Sequence, residues 1–206
     1  MRAFIAIELA GPVLHRLVAL QRGLASHLRS QQLDRCVRWI PAGNLHLTLR
    51  FLGEIDDAQH RALEQALAVL TGRHRGLLAG AGGLGCFPSA RRPSVIWCGI
   101  HGDVTALTRL QADVEDAARG IALPAEAKAF KPHLTIGRLQ RSATGSQLQV
   151  VGAAVMQFGA TTPPVEPATT LVSELLLMQS ELTPSGAVYT PLGVFPLSAP
   201  TPARDA

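Results

Sequence analysis

Cysteine, aromatic residues and long apolar runs are all sparse in this 206-residue chain, and each shortage removes a class of protein. Cys36, Cys86 and Cys98 are odd in number and lack CxxC spacing, which argues against a disulfide framework or thiolate metal site and for a reduced, cytoplasmic setting. The apolar opening Phe4–Ile7 is interrupted by Glu8 and Pro12, too early for a signal segment or a membrane span, so a soluble protein without a cleaved leader is expected. Neither sign of charge dominates. The 19 basic and 15 acidic residues leave a net charge of +4, which suits an anionic substrate better than a DNA-coating role. Aromatics amount to 4% and hydrophobic residues to 47%, mostly Leu, Val and Ala, the composition of an ordinary globular protein.

Periodicity divides the chain into alternating elements. Residues 2–8 read as a strand. Pro12 then suits a first helical turn, and Val13, Leu14, Leu17, Leu20, Leu24 and Leu28 follow at helical spacing. Residues 37–40 and 45–52 read as strands around the turn Pro41-Ala-Gly43-Asn44, and Asp56-Asp57 can cap a helix to about Leu70. A second unit echoes the first, with a hairpin over 77–84 and 93–100, a helix over 104–120 and a strand over 133–139. One more helix is expected within 142–159, then a loop over 161–167. Two closing strands over 171–181 and 188–197 flank a turn at 183–186, and residues 198–206 read as a disordered tail. No heptad pattern appears, so a monomer is expected.

What the chain does contain is one phrase written twice. His46-Leu-Thr48-Leu returns as His133-Leu-Thr135-Ile. Side chains alternate along an extended strand, so histidine and threonine two apart point the same way while the aliphatics enter a core. A single such tripeptide carries little information, because a lone histidine is commonly structural or solvated. Two copies on matched strands do. The other histidines, at 15, 27, 60, 74 and 101, have no matching partner and read as solvated or structural.

These phrases resemble the two-histidine phosphoesterase superfamily, and within it the RNA 2′,3′-cyclic phosphodiesterases once called 2′-5′ RNA ligases. The likeness rests on Phe4-Ile-Ala-Ile7, on Arg38-Trp39-Ile40-Pro41 with Asn44-Leu-His46-Leu-Thr48-Leu-Arg-Phe-Leu-Gly53, and on Phe130-Lys-Pro-His133-Leu-Thr135-Ile-Gly-Arg138. It continues through Leu176 to Leu182, then Gly186, Tyr189 and Leu192. The resemblance implies a bilobal α+β fold. Two antiparallel sheets related by pseudo-twofold symmetry would face a central cleft, with helices on the outer faces, in one domain over residues 1–197. Each lobe would bring one histidine to a shared phosphate.

Opening a 2′,3′-cyclic phosphate requires a proton to leave the attacking water and another to reach the departing ribose oxygen, a task suited to two imidazoles. The resemblance assigns His46 as proton donor and His133 as general base, giving a 2′-phosphate. Thr48 and Thr135 can donate to the non-bridging oxygens. Arg138 is placed at the phosphate by the resemblance, although simple alternation puts it on the face opposite His133, so a bulge or strand end after Gly137 is expected. Parity alone offers Arg50, with a solvated strand-end charge as the plainer reading.

Further RNA contacts are expected from Arg38, Arg91, Arg92, Lys128 and Lys131, with Trp39 or Phe130 as stacking surfaces unless they enter the core. No cofactor is expected. A zinc site on His46 and His133 lacks an evident third ligand, and Glu54, Asp56 and Asp57 read as a turn and helix cap. The expected partner is RNA with a 2′,3′-cyclic phosphate end or a small cyclic nucleotide. The alternatives are a 2′-5′ ligase running the same chemistry backwards and a noncatalytic RNA- or nucleotide-binding module.

Overall fold

The computed structural model describes residues 1–162, 168–184 and 186–199. Its first strand, β1 (Arg2–Ile7), buries Ala3, Ile5 and Ile7 in the main core and turns Phe4 and Ala6 to the opposite face, as the two-residue period of a strand requires. Helix α1 (Gly11–Ser30) carries Pro12 in its first turn and buries Val13, Leu17, Leu24 and Leu28. Strand β2 (Val37–Trp39) and a single 3-10 turn at Ala42–Asn44 lead into β3 (Leu47–Glu54). Helix α2 (Asp57–Thr71) opens on a capping box. The Asp56 carboxylate accepts from the Gln59 amide at 2.8 Å, and the Gln59 side chain accepts from the Asp56 amide at 3.1 Å.

The hairpin β4 (Leu77–Phe87) and β5 (Val95–Gly102) precedes α3 (Val104–Gly120) and β6 (His133–Leu139). Helix α4 (Gly145–Thr161) is capped by Thr144, and β7 (Thr170–Val172), β8 (Glu174–Thr183) and β9 (Gly186–Pro196) close the chain. The closing strand expected over 171–181 is broken at Ser173. Its first part pairs with β4 and its second with β1, and one straight strand cannot serve two separated neighbours.

The strands form a curled antiparallel sheet in the order β7-β4-β5-β6-β3-β1-β8-β9, with β2 also paired to β6. In place of the two expected sheets, the strands make one continuous sheet, because β3 and β6 pair where Leu47 faces Leu134 and so join its two halves. The expected tail is already held at its first residue. The Ser198 amide donates to the His74 carbonyl at 2.8 Å, and its hydroxyl donates to the Gly72 carbonyl at 2.8 Å. The rest of the expected tail from residue 200, most of the 161–167 loop and Ser185 of the closing turn lie outside the described residues. All three cysteines are buried and unpaired, and burial pushes the Cys98 thiol up to about 12.

Candidate active site

His46 and His133 have equivalent local settings. Nδ1 of His46 lies 2.8 Å from the Asn44 carbonyl oxygen, and Nδ1 of His133 lies 2.7 Å from the Lys131 carbonyl oxygen, two residues upstream in each case. A carbonyl only accepts, so each Nδ1 carries the hydrogen and each neutral ring keeps a bare Nε2 for proton transfer. Asn44 is itself held: its amide N–H bonds the Pro41 carbonyl at 2.9 Å and its side chain donates to the Ala187 carbonyl at 2.9 Å.

The two histidines come together at the junction of the sheet halves. Antiparallel register about Leu47 and Leu134 sets His46 alongside Thr135 and Thr48 alongside His133. All four are half-buried, and the two intervening leucines are fully buried. Neither threonine hydroxyl bonds a protein atom among the described residues, so both are free to donate to a ligand.

Two β-bulges decide which arginine joins them. Against β5, Thr135 pairs with Trp97 and Gly137 with Ile96, which leaves Ile136 as an extra residue. Ile136 and Gly137 are both buried, and Arg138 therefore emerges on the face of His133 and Thr135. The expected bulge exists, one residue earlier than anticipated. Buried Gln21 of α1 supports it, donating through Nε2 to the carbonyls of Ile136 and Ile40 at 2.8 Å each. Arg138 is exposed, without an ion-pair partner among the described residues, and close enough for its charge to act on His46.

The first half has the same irregularity with the opposite outcome. Thr48 pairs with Ala6 and Arg50 with Ile5, so Leu49 is the extra residue. Arg50 is thereby turned inward, against the parity expectation. Its guanidinium meets Glu115 at 2.6 Å and Glu126 at 3.3 Å and donates to the carbonyls of Pro124 and Phe51. At 7% exposure it is a structural cation, not a substrate contact. Phe51 faces outward where Arg138 does in the other half, and is 54% exposed.

Burial lowers the His46 pKa from its ordinary value. The Asn44 hydrogen bond opposes this shift, while the positive charges of Arg138 and His133 add to it. Aromatic rings supply the burial: Phe4 stacks on His46 with centroids 4.8 Å apart, and Tyr189 meets it edge-on at 5.1 Å. His133 meets Phe87 edge-on at 4.9 Å and Trp97 at 6.5 Å. These rings escaped the sequence reading. The signal that could have found Phe4 was parity within β1, where Phe4 and Ala6 share the face opposite the main core.

The remaining expected contacts divide. Trp39 is partly buried and packs against the core over Gly137, where a Cβ would lie 3.3 Å from the indole. Its neighbour Arg38 stands opposite Arg138 and is exposed. Phe130 is partly buried, with one side packed against the core. Lys131 contributes its carbonyl to His133 while its side chain is exposed, and Arg91, Arg92 and Lys128 are exposed as well.

The match to the model for LigT-like phosphoesterases covers residues 12–97 and 102–189. The chain belongs to the LigT-like phosphoesterase family. A Methanothermobacter thermautotrophicus protein named RNA 2′,3′-cyclic phosphodiesterase is 29% identical over 199 residues, covering 96% of this chain and 99% of its own. A Thermus thermophilus protein of the same name is 32% identical over 204 residues, covering 96% and 90%. The crystal structure of TT0787 from Thermus thermophilus superposes with a TM-score of 0.72 at 28% identity, over 96% of this chain and 98% of that one. Escherichia coli LigT complexed with 3′-AMP superposes at 0.65 with 24% identity and 96% and 98% coverage, a likeness of fold.

In this LigT-like phosphoesterase, no three His, Cys, Asp or Glu side chains among the described residues are grouped to hold a metal ion. Among the same residues no helix is long and apolar enough to cross a membrane.

Proposed function

We propose that this protein hydrolyses RNA 2′,3′-cyclic phosphate ends to 2′-phosphate ends by metal-independent acid and base catalysis, with His46 as proton donor and His133 as base. The observation that carries the reading is the matched pair of imidazoles, each with Nδ1 bound to the carbonyl two residues upstream and Nε2 left for chemistry. The names of the full-length relatives support the substrate.

The cyclic phosphate sits between the two histidine strands. Its non-bridging oxygens accept from the Thr48 and Thr135 hydroxyls, and the Arg138 guanidinium holds the charge that builds there as bonds rearrange. His133 Nε2 takes a proton from water as the water oxygen attacks phosphorus. His46 Nε2 gives a proton to the ribose 3′ oxygen as its bond to phosphorus breaks. The protonated His133 and neutral His46 then exchange a proton with solvent to restore the starting state. Positioned proton transfer of this kind contributes roughly 10²–10⁴-fold per group.

His46 is predisposed to be neutral in the free protein, so its donor role depends on the phosphate anion, whose negative charge favours imidazolium. The test is to incubate the protein, with excess EDTA, with an oligoribonucleotide ending in a 2′,3′-cyclic phosphate. Opening to a 2′-phosphate, lost in both His46→Ala and His133→Ala, supports the reading. A 3′-phosphate product would reverse the two roles, and intact substrate despite binding would leave a recognition module.

A further inference from the structure

Beside His46, the concave face under β1 holds a cavity of about 220 Å³, walled by Phe4, Ala6, Glu8, His46, Met178 and Tyr189. Its surfaces are those a nucleobase requires. Phe4, Ala6 and Met178 form a buried apolar floor, and half-buried Tyr189, packed against it, is the ring with area left for a π face. Glu8 contributes the only carboxylate in the wall. It makes no ion pair or hydrogen bond among the described residues. Glu8 is an exposed residue at the cavity's edge; what burial its carboxylate has raises its pKa, and the nearby Glu174 carboxylate adds to the effect.

The cavity includes His46 but not His133, and that asymmetry orients a nucleotide. In an in-line displacement the water enters opposite the leaving 3′ oxygen. The ribose hangs from both ester oxygens, so the nucleoside lies on the leaving-group side. A nucleoside in this cavity therefore puts the departing oxygen by His46 and leaves the water side to His133.

The geometry points to this cavity as the base site for the nucleotide that carries the cyclic phosphate, with Glu8 selecting guanine; this rests on the cyclic-phosphate reading of the histidine pair. An ionised carboxylate only accepts hydrogen bonds. Guanine presents N1–H and an N2 amino hydrogen side by side, a bidentate match to Glu8 with charge-assisted bonds. Adenine and cytosine pair one amino donor with a ring-nitrogen lone pair, and uracil sets one N3–H between two carbonyls. Each of those three turns a lone pair toward the carboxylate.

The experiment is calorimetric titration of wild type and Glu8→Gln with the four nucleoside 2′-monophosphates at pH 7.5, alongside turnover of the four nucleoside 2′,3′-cyclic phosphates. Wild type is expected to bind guanosine 2′-monophosphate about tenfold more tightly than the other three, and Glu8→Gln to lose that preference. Binding of inorganic phosphate by Glu8→Gln confirms that the neighbouring cleft is intact in the variant. Equal affinity for all four bases in wild type, or a guanine preference that survives in Glu8→Gln, would overturn the assignment. Turnover without base preference sinks the base site and leaves the phosphodiesterase reading standing. Guanine-selective binding without turnover supports the base site and removes the catalytic reading.

Discussion

Leu47 pairs with Leu134 across the junction of the two sheet halves, and each leucine is the next residue after a histidine. Both leucines are fully buried, so a backbone contact locked in the core sets the spacing of the two imidazoles at the surface of the cleft. In the proposed mechanism the two histidines need no domain movement to assemble them. His46→Ala and His133→Ala are each expected to lower kcat by roughly 10²–10⁴-fold while leaving the fold intact. Steady-state kinetics with circular dichroism checks this; a variant that keeps more than a tenth of wild-type kcat removes its histidine from the proton-transfer scheme.

The lowered pKa of His46 has two measurable consequences. The unfolded chain binds this proton more readily than the folded protein, so His46 costs stability as pH falls through about 6.5, fully so below its folded pKa. A bound nucleoside 2′-phosphate should raise that pKa, because an anion favours imidazolium. Titration of the histidine ring signals by NMR, with and without the nucleotide, reads both. If only the His133 signal moves on binding, the donor and base assignments exchange.

Gln21 acts on Arg138 at a distance. Its two bonds tie α1 to the Ile136 bulge and to Ile40, and the bulge is what presents Arg138 to the cleft. Gln21→Leu is expected to cost about 1–3 kcal/mol of stability, because buried carbonyls lose donors. It should also raise KM with a smaller effect on kcat, a split that distinguishes positioning of the phosphate site from general loosening. Denaturant unfolding and kinetics on the same preparation test the pair, and a normal KM would dissociate Gln21 from the site.

Arg50 should behave in the opposite way. Removing it in Arg50→Met leaves Glu115 and Glu126 without their buried cation, at an expected cost of about 3 kcal/mol. Its guanidinium lies on the core side, so kcat/KM of the folded variant should stay within about twofold of wild type. Stability in urea and activity at low temperature separate the two effects. Lost activity in a fully stable variant would place Arg50 at the substrate after all.

The legible part of this protein was written at short range. Pro12 in the first turn of α1, the Asp56 cap and the His-x-Thr alternation each depend on neighbours a few residues away. Periodicity therefore sufficed to put His46 with Thr48 and His133 with Thr135 on common faces. The Arg50 expectation failed for a specific reason. Parity counts residues, and the extra residue at Leu49 is created by pairing with β1, more than forty positions earlier in the chain. The matching bulge at Ile136 arises against β5 and is bonded by Gln21 of α1, so Arg138 also depends on distant partners.

Trp39 and Phe130 show the same division, since an aromatic residue at a strand entry looks alike in sequence whether it meets a base or the core. Here both rings pack on the core, while Phe4, Phe51 and Tyr189 lie on the cleft side. The sequence by itself determined most of the elements, the Asp56 cap and the shared face of each histidine with its threonine, because steric alternation and capping act through adjacent backbone units. Only the tertiary structure decided that two strands meet at Leu47 and Leu134, that one arginine is buried and another presented, and that Glu8 borders a cavity beside His46. Those outcomes rest on register and packing between segments far apart in the chain, where no local periodicity carries the information.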